Sequence, residues 1–377
     1  MGSIFEDPAR YEFFERTCNP QSGDGSTSIE VWEYHRNIAH ARGKFMPVRE
    51  LVERSSSASL RIIFAPLDRA TRPYAADLLM LFRHFRVPSA FIDDNPRSVT
   101  LSFGASEDGA GGDCAWFHYL CKNITTHRSP ANNQVYISGV LSGEPQFTQG
   151  DDSWILCKYF LRWDSGPESA SAGQVTLICF GVPPLSNLRL RLSRLPSTWE
   201  EVLIDPYALF VIALDELSVQ QDALVWGLND IFRGMEVNAL QSASMTNDRA
   251  MKGRHDFAGL HNVHKLIIYM SECSSAVMHT LTHLRERHRE AMAGAQLQES
   301  SRKTMARTQG MLALVETRFE TARLRVASLD RRMENLIGLV SGDPVLAYFI
   351  SAVEVIYHGP YTPFTTLDRE IVLLMPC

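Results

Sequence analysis

Two pairs of side chains in this chain have the type and spacing to hold a metal ion. His279 and His283 lie four residues apart, which puts both imidazoles on one helical face, where neutral histidines can share a metal. His255, His261 and His264 stand upstream on the same stretch, yet no H-E-x-x-H is formed and no third ligand is evident. Solvated helix histidines are therefore the expectation. Asp215 and Asp222 lie seven apart, two turns along one side of a helix, where carboxylates can bind Mg2+ through its retained water shell. A solvated polar face accounts for them without a metal.

Other chemistries find less support. No serine sits in G-x-S-x-G and no cysteine has the local signature of a protease nucleophile, so no enzymatic activity is expected. The acidic, glycine-rich stretch GASEDGAGGD at 104–113 lacks the glycine order of a dinucleotide fingerprint and the lysine of a P-loop; it is predicted to be a flexible loop. Seven cysteines at 18, 114, 121, 157, 179, 273 and 377 form no C-x-x-C pair, which points to reduced intracellular thiols. A formal net charge of −6 with scattered Lys and Arg argues against a nucleic-acid partner, because phosphate contacts need a basic stripe. The N-terminus has acids where a signal peptide needs basic residues, and no run approaches the ~20 apolar residues of a spanning helix. A cytoplasmic chain is expected.

The elements that must position these residues follow from the hydrophobic period. Residues 1–59 are polar and Ser-rich and read as a loosely structured lead-in. Residues 60–205 read as an α/β domain, with strands at RIIFAPL (61–67), SAFIDD, QVYISGVL (134–141), SWILCKYFLRW (153–163) and QVTLICFGV (174–182), and a helix over 74–86. Trp154, Trp163, Trp199 and Trp226 read as core anchors. After Pro206 the period becomes 3.6, giving a helical region over 206–304 with helices at 207–237 and 254–292.

A third helix follows, at 305–340, with a different pattern. Its apolar positions Met305, Thr308, Leu312, Val315, Phe319, Ala322, Val326, Leu329, Met333, Leu336 and Val340 alternate in steps of three and four without a slip. A strict seven-residue repeat favours a supercoiled partner, so a coiled-coil-like stalk joining copies of the chain is expected. The same stripe would also serve to pack this helix on the two preceding helices of its own chain. At about 1.5 Å per residue the stalk spans on the order of 54 Å.

The segments CAWFHYLCKNI (114–124), DSWILCKYFLRW (152–163), TWEEVLIDPYALFVIALDEL (198–217), VWGLNDIF (225–232) and RFETARLRVASLDRRMENLIGLV (318–340) together resemble the cytosolic part of CorA-type magnesium transporters, and more narrowly the divergent CorA-like proteins found as large families in fungi. The resemblance covers roughly residues 60–340. It implies an α/β N-terminal domain followed by long helices forming a stalk, a homo-oligomer, regulatory cytosolic Mg2+ between subunits, and full-length CorA-like subunits as partners. In that family the stalk runs into membrane helices and a Gly-Met-Asn signature. Here the chain instead continues SGDPVLAYFISAVEVIYHGPYTPFTTLDREIVLLMPC from Ser341, so 341–377 reads as a non-family tail and the family's route into a membrane is absent. Two readings follow: the regulatory and oligomerising part of a divalent-cation transporter, not transport-competent alone, or a stand-alone coiled-coil scaffold derived from one.

Overall fold

The computed structural model describes residues 6–17, 27–36, 43–54, 57–67, 74–92, 102–108, 112–124, 126–128, 135–137, 154–164, 173–183, 186–195, 199–244, 257–294 and 298–341. Strands β1 (Ser28–Tyr34), β2 (Gly43–Pro47), β3 (Leu60–Ala65), β4 (Phe103–Asp108), β5 (Gly112–Lys122), β8 (Trp154–Asp164) and β9 (Val175–Phe180) form one seven-stranded sheet in the order β2-β1-β3-β9-β8-β5-β4. Every neighbouring pair is antiparallel except β3 with β9. Short strands β6 (Thr126–Arg128) and β7 (Val135–Ile137) pair separately.

The central strands are apolar on both sides because both faces are covered. Along β3 the side chains alternate. Leu60, Ile62 and Phe64 face one core, while Ile63 and Ala65 face another. The second core is roofed by α1 (Pro8–Thr17), α2 (Val48–Glu53) and α3 (Ala75–His84). On α3, inside the helix expected over 74–86, Ala75, Leu78, Leu79 and Phe82 are buried. The first core lies under α4 (Leu188–Ser193), α5 (Glu201–Ile204) and three long helices, α6 (Ala208–Ser244), α7 (Phe257–Gly294) and α8 (Glu299–Ser341). The chain is thus a mixed α/β domain followed by long helices, as expected.

Several local expectations change. The lead-in is not loose: SIEVWEY and GKFMP supply the strands at one side of the sheet, and Ile29 and Val31 are buried. The polar serine tracts on either side hid the short apolar alternation of Ile29 and Val31. The supposed acidic loop is mostly hairpin, because Gly104 lies opposite Trp116, whose ring fills the space a Cβ would need at 2.2 Å. SAFIDD opens as a 3-10 turn over Ser89–Phe91 rather than a strand, set by the preceding Pro88. Helix α6 runs seven residues past Val237, and α8 starts six residues before Met305. Of QVYISGVL only 135–137 is described, as β7, and the 342–377 tail lies outside the described residues.

Candidate functional site

The relation of the three long helices can be read from their polar pairs. Arg318 pairs with Asp215, Arg325 with Asp222 and Arg332 with Asn229, each 103 residues apart. A constant offset means that α6 and α8 run parallel. Arg332 also binds Glu236 at 2.6 Å. Against α7 the order reverses: His288 meets Gln309 while His264 meets Asp330, so α7 is antiparallel and lies against both. The ladder arises because arginines on α8 and oxygen acceptors on α6 both recur every seven residues, matching the register of the apolar stripe beside them.

That ladder decides the fate of the acidic candidates. Asp215 and Asp222 do project from one side of α6, but guanidinium groups hold both. Asp215 takes Arg318 and Arg191 of α4, and Asp222 takes Arg325. A Mg2+ ion would have to displace those charge-assisted pairs, so these two residues do not fit it within one chain. His279 and His283 are exposed on α7, with only Glu286 near His283 at 3.6 Å. No group of three or more His, Cys, Asp or Glu among the described residues is placed to hold a metal ion.

The predicted association seam is likewise spent inside the chain. Leu312, Val315, Phe319, Val326, Leu329, Met333 and Leu336 are each no more than 4% exposed, in one core with α6, α7 and the sheet. Phe319 reaches the ring of Tyr119 on β5, centroid to centroid 6.5 Å. A seam buried by its own chain has no surface left for a second copy, so the heptad repeat here records intramolecular helix packing. Val340's side chain lies outside the described residues.

What remains exposed carries its own heptad pattern. On α6 the outward positions Val219, Ala223, Trp226, Asp230, Arg233, Val237 and Leu240 alternate in steps of four and three. On α8 Leu314 and Leu324 stand on the face opposite the buried seam. Trp226 is 50% exposed and Leu324 56%, so Trp226 is not the core anchor its type suggested. The Arg325 guanidinium lies over its ring at 4.9 Å, one face of the indole thus being shielded by a side chain of the ladder.

Two buried polar groups escaped sequence reasoning. Asp205 and His288 are fully buried and 3.0 Å apart, and Gln309 approaches the other ring nitrogen at 2.8 Å. In the helix–sheet core, Tyr119 donates to Gln221 at 3.2 Å and Gln221 donates to Ser274 at 2.6 Å. The only signal for the first was Asp205-Pro206, a cap followed by a residue suited to the first helical position. Partners 83 residues apart leave no local trace.

No protein-family model matches the chain, and no curated protein does. Among solved structures, the cytoplasmic domain of ZntB from Vibrio parahaemolyticus is similar at 10% identity and a TM-score of 0.38, over 82% of this chain and 98% of that one. Full-length CmaX is similar at 13% identity and a TM-score of 0.36, over 93% of this chain and 91% of that one.

Proposed function

We propose that this chain is the cytosolic regulatory and oligomerising part of a CorA-like divalent metal cation transport system, with Mg2+ as the ion. It associates with copies of itself and with full-length CorA-like subunits. The observation carrying the proposal is the division of labour on α6 and α8: one heptad stripe builds the chain's own helical unit, while apolar side chains on outward faces, Val219 and Trp226 seven residues apart on α6 and Leu314 and Leu324 on α8, stay exposed. Apolar residues at heptad spacing suit a helical partner. No helix among the described residues is long and apolar enough to cross a membrane, so on this reading the partner subunits supply the pore. The Mg2+ response is the part that rests on sequence resemblance alone.

A second reading, a metal-indifferent scaffold, is favoured by the commitment of Asp215 and Asp222 to arginine. Sedimentation velocity on the full chain separates the two. We expect an oligomer that becomes a folded monomer when Leu314 and Leu324 are both changed to Asp, whereas Val326→Asp, at a fully buried position, unfolds the helical unit. A wild-type chain that sediments as a monomer at tens of micromolar would defeat both readings (~10 μM and above being ample for an interface of ordinary affinity). Assembly unchanged by millimolar Mg2+ would leave only the scaffold.

A further inference from the structure

At the end where α6 begins, α7 finishes and α8 begins, a single buried cluster joins all three helices. Asp205 uses both carboxylate oxygens. Oδ1 accepts the Tyr207 backbone N–H at 3.3 Å, capping α6, and Oδ2 meets His288 Nε2 of α7 at 3.0 Å. His288 Nδ1 faces Gln309 Oε1 of α8 at 2.8 Å, so both ring nitrogens stand before oxygen acceptors. The doubly protonated imidazolium donates to both. The neutral ring donates to only one, and Gln309 must turn its amide round to serve the other.

We propose that Asp205, His288 and Gln309 form a proton-operated latch that fastens these three helix ends while His288 is protonated and loosens them when the proton leaves. Losing the proton turns a charge-assisted bond into an ordinary one and takes the imidazolium's charge away from the Asp205 carboxylate, 0% exposed. Arg287 neighbours the site on α7, the Tyr207 ring packs edge-on against His288 at 5.4 Å, and Asp113 acts from β5 through Tyr207. From the α8 side, Arg307 is paired with Glu201 of α5 at 2.8 Å, and Arg285 with Glu316 one turn away. None of these is a second histidine.

The direction of titration agrees. Burial pulls the His288 pKa down, but hydrogen bonding and charge from Asp205, with help from Gln309, outweigh it, and the result lies above the ordinary 6.5. A raised folded value means that the latch's contribution is complete below about pH 6.5 and is lost as pH rises through the folded value.

Hydrogen exchange of the full chain, corrected for the intrinsic pH dependence, tests the latch. Protection of peptides covering 285–294 and 299–312 should fall by roughly tenfold per pH unit between 6.5 and the folded pKa, while peptides near His264 at the other end of α7 hold steady. Asp205→Asn keeps a cap of equal quality but removes the charge, and the pH dependence should vanish. Selective 13C labelling of histidine gives an independent reading on the unmodified protein, with the His288 resonance identified by its loss in His288→Gln. The latch is overturned by a His288 titration at or below 6.5, or by the same pH-dependent opening in Asp205→Asn. The NMR titration decides even if Asp205→Asn fails to fold, and if His288→Gln fails as well the resonance is assigned on the unmodified protein by the ring contact of His288 with Tyr207.

Discussion

The buried thiols show how position sets reactivity at the scale of single residues. Cys121 and Cys157 are both fully buried between the sheet and the long helices. Burial pushes both thiols up to about 12, because a thiolate in that apolar layer lacks water to stabilise it. Cys179 and Cys273 are raised by the same cause. At pH 7.5 these four sulfurs should stay unmodified by iodoacetamide in the folded chain and react only after urea unfolding, as followed by peptide mass spectrometry. Labelling of Cys157 in the native chain would show that the core opens readily. The seven cysteines read in the sequence as reduced thiols, but the inertness of these four depends on a layer that only folding creates.

At the scale of elements, the long helices hold glycines that packing does not require. A Cβ at Gly234 of α6 or Gly310 of α8 would meet nothing within 4 Å. Helix-interior glycine costs about 0.5–1 kcal/mol relative to alanine through the entropy of the unfolded chain. Gly234→Ala and Gly310→Ala should therefore each raise stability by about that amount, read from the urea midpoint at unchanged slope. A loss of stability at either would mean that the outward face is already covered. Gly104 is the contrast, since the Trp116 ring occupies its Cβ position. The heptads of α8 were legible residue by residue, whereas the seven-residue spacing of Arg318, Arg325 and Arg332 gained meaning only from their partners on α6. Their partner was not, because a period of seven describes any close-packed parallel or antiparallel helix pair, whether within one chain or between two.

Across the whole molecule, one continuous core joins the sheet face bearing Phe117, Tyr159 and Leu177 to α6, α7 and the buried seam of α8. Phe117 stacks on Tyr159 and meets Phe210 of α6 edge-on at 4.9 Å. The sheet and the helices therefore cover each other, and neither keeps its apolar face dry alone. Denaturant unfolding followed by helix circular dichroism and by tryptophan fluorescence should give coincident transitions. A helical signal that persists after Trp116 and Trp199 are exposed would mean that the helical unit is a separate folding body. The helix expected as a coiled-coil-like stalk instead packs its stripe on its own chain, the alternative the same repeat left open.

By itself the sequence determined the strands β3, β8 and β9, the helix α3, the change of period after Pro206 and the apolar stripe of α8. These are consequences of side-chain spacing, which acts locally and so is written locally. Only the tertiary structure decided that Asp215 and Asp222 belong to arginines, that the seam from Leu312 to Leu336 is closed by its own chain, and that Asp205 and His288 share a proton-sensitive site. Each of those depends on which residues from distant elements arrive beside them, and removal from water, which sets the strength of both charge and apolar contacts, exists only once the layers have closed.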